Sequence, residues 1–148
     1  MVADNDTSKV ESMTFTKKKV ILTISAAYSL HGHHIQSTLD KEWSTKTSPF
    51  VRSHFTNIGF DFLLDSPEQS LLDLRRILNN KPWDGVIVGW CIRGMSIERT
   101  EVFEGVMAEV MEAGRKQKDL KAIFCRGPND LVEATLRNFP VDEMEEVV

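Results

Sequence analysis

The sequence has little that would assign it at a glance. No stretch approaches the ~18 to 20 consecutive apolar residues that cross a bilayer. Met1 to Thr16 mixes Asp, Asn, Ser, Thr and Lys with no continuous apolar run, so neither a membrane span nor a signal-peptide hydrophobic region is expected. Positive charge is not in excess: 18 Lys and Arg against 22 Asp and Glu leave a formal charge of −4, which removes the electrostatic footprint of a nucleic-acid binder. Cysteine is scarce. Cys91 and Cys125 share no metal-type spacing, and without export signals they read as free thiols in a cytoplasmic setting. Glycine-rich phosphate loops are missing as well. Only Gly32 follows the first β-like run, so neither the G-x-G-x-x-G fingerprint nor a P-loop is present, and the cofactor stays unassigned.

What remains is an ordinary globular composition, 41% hydrophobic and 27% charged over 148 residues. That length suits one domain, which buries roughly 70% of its unfolded surface. The ends differ from the middle: residues 1–16 read as a tail, and residues 141–148 carry the acidic cluster Asp142, Glu143, Glu145 and Glu146 after Pro140. Between them, 17–140 reads as a single α/β domain. Four β-like runs, Lys19 to Ala26, Gly59 to Leu64, Gly85 to Cys91 and Lys121 to Cys125, alternate with helical patterns. Such alternation is the pattern of βαβ units around a parallel sheet. Right-handed crossovers then give a three-layer α/β/α sandwich with four parallel strands in the order 2-1-3-4, flavodoxin-like or Rossmann-like.

The caps place the helices. Ser66-Pro67 with Gln69 opens one whose buried stripe is Leu71, Leu74 and Leu78. Ser48-Pro49 opens another through Val51, Phe55 and Ile58, ended by Gly59. Ser96 opens a third with Phe103, Val106 and Val110 inward, and Asp130 with Glu133 opens a fourth over Val132, Leu136 and Phe139. The interval 27–48 is long for a βα loop of about 2 to 6 residues. It reads as an inserted segment in which Ile35, Leu39 and Trp43 form a short amphipathic helix over the sheet edge.

In open α/β sheets, ligands bind beyond the carboxyl ends of the strands where the strand order reverses, here between the first and third. The loops at that rim carry the candidate residues. Arg93 and Arg126 each precede a helix N-terminus and offer planar forks for a carboxylate or phosphate; alternatively each ties loops together by pairing with Asp65, Glu98 or Asp130. His33 and His34 in the inserted segment are candidates for proton transfer as part of a lid, against the reading of incidental loop histidines. Their adjacency gives no zinc-ligand spacing, so no metal is expected. Cys91 is a candidate nucleophile, against the commoner role of a buried small hydrophobe. Ser25, Tyr28, Trp90, Gly94, Gly127 and Asn129 complete the candidate ligand site through hydroxyl, stacking and backbone contacts. Trp43 and Trp83 read as packing residues.

Asp84 to Gly89, then Arg93, Phe124, Gly127-Pro128, Asp130 and Glu133-Ala134 resemble the corresponding region of a group of small, functionally unassigned microbial α/β proteins. The resemblance covers the second half and implies that Arg93 and the Gly127-Pro128 turn belong to a shared site or a shared architecture. It brings no activity with it. This chain departs from the group in carrying Cys91 and Cys125-Arg126.

The expected function is a site for a small anionic molecule, used for catalysis or for recognition. Arg93 and Arg126 would anchor the anion and His33 or His34 would move protons. The alternative is a non-catalytic module that self-associates, because a four-stranded sheet is narrow and two copies paired as a homodimer bury more apolar surface.

Overall fold

A computed structural model describes residues 17–93 and 96–142. The tail read at 1–16 lies outside the described residues, as do Gly94 and all of the tail read at 141–148 except Val141 and Asp142, of which Val141 packs against the core. The elements run β1 (Lys19–Ser25), α1 (Ala27–His31), α2 (Ile35–Lys46), α3 (Pro49–Arg52), β2 (Phe55–Asp61), α4 (Pro67–Asn80), β3 (Gly85–Val88), α5 (Ile97–Lys116), β4 (Lys121–Phe124) and α6 (Leu131–Asn138). A single 3-10 turn, Trp90–Ile92, follows β3.

The four strands form one parallel sheet in the order β2-β1-β3-β4. This is the expected Rossmann-like topology, with β1 in register with β2 from Lys19 and Phe55 to Ser25 and Asp61. Helices cover both faces. Leu22, Ile24, Val86 and Val88 pack with α4 and α5 through Leu74, Leu78, Val106 and Val110. Ile21, Ile87 and Ile123 pack on the other face with α2 and α6 through Ile35, Leu39, Trp43, Leu131 and Val132. Each buried Leu or Ile contributes about 1.5–3 kcal/mol, so both clusters are needed to hold so narrow a sheet together.

Three boundaries differ from the sequence expectation. The helix expected from Pro49 to Gly59 is only four residues long: Val51, Phe55 and Ile58 have helical spacing, but Phe55 and Ile58 lie in a strand and pack on opposite faces of the sheet. His54 N–H turns back to the Val51 carbonyl at 3.1 Å, and β2 starts at Phe55 rather than Gly59. Gly59 is therefore a strand residue, not a helix stop. A Cβ there would lie 2.6 Å from Ile35 Cγ2 and 2.9 Å from the Gln36 nitrogen, so glycine is required for α2 to approach the sheet. At the third strand, pairing ends at Val88 and the chain coils into the 3-10 turn. There the Gly89 N–H bonds the Ile24 carbonyl at 2.8 Å, and a side chain at Gly89 would strike that oxygen.

The segment 27–48 carries α1 and α2. Ile35, Leu39 and Trp43 are buried as their spacing implies, and α2 lies against the β2 edge of the sheet within the connection that joins parallel β1 to β2. Gln36 closes the outer edge of β2: its amide oxygen accepts the Gly59 N–H at 2.8 Å and its amide nitrogen donates to the Asn57 carbonyl at 3.1 Å, as a neighbouring strand would. In α4 the buried stripe is Ser70, Leu74 and Leu78, with Leu71 only partly covered. Ser66 makes no side-chain cap bond. Asp130 also leaves its helix uncapped, because its carboxylate takes the Arg126 N–H at 2.8 Å and the Arg137 guanidinium at 3.1 Å instead. No described helix is long and apolar enough to cross a membrane.

Candidate functional site

A cavity of about 460 Å³ opens beyond the carboxyl ends of β1, β3 and β4, at the point where the strand order reverses. Its floor is the α2/α6 face of β1. Strand residues alternate between faces, so Leu22 and Ile24 point into the opposite cluster while Thr23 and Ser25 face the cavity. Leu30, Ile35 and Thr38 form one wall, Gly89, Trp90 and Cys91 the β3 side, and Cys125, Gly127, Pro128 and Leu131 the β4 side. His31 and Arg99 supply the charge-bearing groups; no carboxylate is among the described lining residues.

The local structure follows from small sequence features. Ser25 Oγ accepts the Ala27 N–H at 3.0 Å and so turns the chain from β1 into α1. Gly32, at φ 76°, ends α1 in the left-handed conformation that glycine adopts without strain. Asp61 at the end of β2 then caps α2 from outside: one carboxylate oxygen accepts the Ile35 N–H at 2.9 Å and the other bonds His34 Nδ1 at 2.7 Å. That contact puts the proton of a neutral His34 on Nδ1 and leaves Nε2 as an acceptor. The ring stacks on Tyr28 with centroids 4.2 Å apart. His34 is exposed and does not line the cavity, nor do Tyr28 and His33.

Of the other residues singled out from the sequence, Ser25, Trp90, Cys91 and Gly127 line the cavity. Arg93 does not. Its guanidinium donates to the Cys125 carbonyl at 2.9 Å and lies over the rings of Trp90, at 5.2 Å, and Phe124, at 5.9 Å. It thus ties the loop after β3 to the end of β4 and holds the Trp90 ring, rather than pairing with an acid. Arg126 is exposed, and Asn129 presents its carbonyl to Lys46 Nζ at 2.9 Å, outside the cavity. Burial pushes the Cys125 thiol up to about 11, reinforced by the nearby Asp130 charge, so this sulfur is protonated at neutral pH. Cys91 is half-buried and free. Among the described residues no group of three His, Cys, Asp or Glu side chains is placed to hold a metal.

Thr23 and Arg99, both in the lining, were not among the residues singled out from the sequence. Thr23 and Ser25 are hydroxyls two apart in an otherwise apolar strand, hence on one face, which is a readable sign of a polar floor. Arg99 stands in the first turn of α5, where the helix dipole disfavours a cation. Its side chain has no ion-pair partner among the described residues, so helix stability does not account for it. Compared with protein-family models, with curated proteins and with solved structures, the chain matches none.

Proposed function

We propose that this protein binds a small anionic molecule in the cavity beyond β1, β3 and β4. One observation carries the reading: an otherwise apolar cavity at the sheet's reversal point is lined by Arg99 and His31 and by no described carboxylate. A volume of about 460 Å³ matches that of small-molecule sites, roughly 300–1,000 Å³. Apolar walls lower the local dielectric and so strengthen the attraction of an unpaired guanidinium for an anion. Arg126, exposed beside Gly127, is a second cation within the same rim. If the bound molecule reacts, His31 is the imidazole in the cavity wall, and His34, oriented by Asp61, is the one just outside it. The likeness of the second half to small microbial α/β proteins would make the Gly127-Pro128 turn part of a site shared by that group.

The test is a thermal-shift screen of small carboxylates and phosphates against the wild-type chain and Arg99→Ala. At ten times its Kd a ligand adds about 1.4 kcal/mol, several degrees in Tm for a domain of this size. At least one anion is expected to give that shift and to lose it in the variant. A screen in which every anion leaves Tm unchanged, or in which the shift survives the substitution, rules the reading out.

Self-association is the second reading. It is favoured by Ile97 and Met111 on α5, 81% and 69% exposed, and by partly exposed Phe124 on the edge strand β4. Sedimentation equilibrium decides it: a monomer at tens of micromolar removes it.

A further inference from the structure

Four polar residues of the described chain are buried: Thr23, Ser25, Ser70 and Thr135. Three are satisfied from within. Ser25 Oγ accepts the Ala27 N–H, Ser70 Oγ accepts the Leu63 N–H at 3.0 Å, and Thr135 Oγ1 donates to the Leu131 carbonyl at 2.9 Å. Thr23 is different. It is wholly buried, its hydroxyl has no hydrogen-bond partner among the described residues, and it lies on the cavity floor. A buried hydroxyl without a partner is costly, and valine would fill the same space without that cost. The position therefore makes sense if the hydroxyl is completed by something that enters the cavity.

On the reading of the cavity as an anion site, we propose that its ligand is a carboxylic acid with a flat apolar body and one neutral hydrogen-bonding group at the end opposite the carboxylate. The three parts follow from the lining. Arg99 offers a fork suited to one carboxylate, and His31 is the other basic side chain of the lining, whereas a phosphate dianion would want more positive charge than this lining supplies. Most of the lining is apolar, and it includes Trp90, whose ring lies under the Arg93 guanidinium and is a side chain suited to packing against a planar body. The floor has a hydroxyl and no counter-charge, so the inner group of the ligand must be uncharged: a hydroxyl, a carbonyl or an amide.

The experiment is calorimetric titration of the full chain with three pairs of probes: 4-hydroxybenzoate, 4-hydroxyphenylacetate and 3-(4-hydroxyphenyl)propionate, each against its counterpart without the hydroxyl. In the wild type at least one hydroxylated acid is expected to bind about 5- to 10-fold more tightly than its counterpart, the value of one hydrogen bond. Thr23→Val should bring that ratio to about 1 and leave the counterpart's affinity within twofold; Thr23→Ser should keep the ratio. A ratio near 1 for all three pairs in the wild type overturns the proposal, as does a ratio that Thr23→Val leaves intact. If inorganic phosphate binds in an Arg99-dependent way and none of the six acids does, the anion site stands and the carboxylic-acid class is wrong. If no anion binds in that way, both fall.

Discussion

The two faces of β1 offer a comparison within one strand. On one, Leu22 and Ile24 are fully buried among Phe62, Leu74, Leu78 and Val106, under α4 and the 20-residue α5. On the other, Ile21 packs under α2 and α6 at the strand's start, but Thr23 and Ser25 then meet a cavity instead of a helix. Backbone, register and hydrogen bonding are common to both faces. The difference lies in what covers them, and side-chain chemistry follows it: aliphatic where helices close the layer, hydroxyl where space is left. The packed face carries the stability, and the buried unpaired hydroxyl on the open one is the feature on which the proposed ligand rests.

Three substitutions sharpen that contrast. The largest effect belongs to the packed face: Leu74→Ala, at a wholly buried side chain, should cost about 3–5 kcal/mol by denaturant unfolding, because the cavity it leaves has no room to collapse. A cost below about 1 kcal/mol would mean that this face is looser than described. Next is Cys125, in the cavity wall. Its thiol is raised from 9.0 to about 11 by burial, so the unfolded chain loses this proton first as pH rises. The stability it contributes is whole below about pH 9 and falls by ~2–3 kcal/mol on the way to pH 11. Unfolding curves from pH 8 to 11 should show that decline in the wild type and a correspondingly smaller one in Cys125→Ala; parallel curves would place the sulfur nearer water. The smallest effect has the opposite sign: Thr23→Val should stabilise by ~1 kcal/mol, since it removes a buried hydroxyl without a protein partner. A destabilised variant would show that the hydroxyl is satisfied in the ligand-free protein.

Much of the fold could be read along the chain because its signals are local. The β-branched run of β1, the Ser66-Pro67 start of α4 and the i, i+4, i+8 spacing of Ile35, Leu39 and Trp43 all gave the right element. Misreadings came where a helical spacing ran on into a strand, as at Val51, Phe55 and Ile58, or where tertiary packing set the role, as at Gly59 beneath α2. The position of the cavity was legible in the sequence more than the residues that line it. Arg93 looked like an anion anchor from its position after β3, yet its guanidinium is committed to the Cys125 carbonyl and two aromatic rings. Arg99, in the first turn of α5, was not singled out and lines the cavity.

By itself the sequence determined the number and direction of the strands and their order, because alternation of periods and the handedness of crossovers leave few other arrangements. The tertiary structure alone decided which cation faces the cavity and which hydroxyl is left without a partner. Those outcomes depend on where side chains from distant segments meet, and spacing along one chain does not encode that.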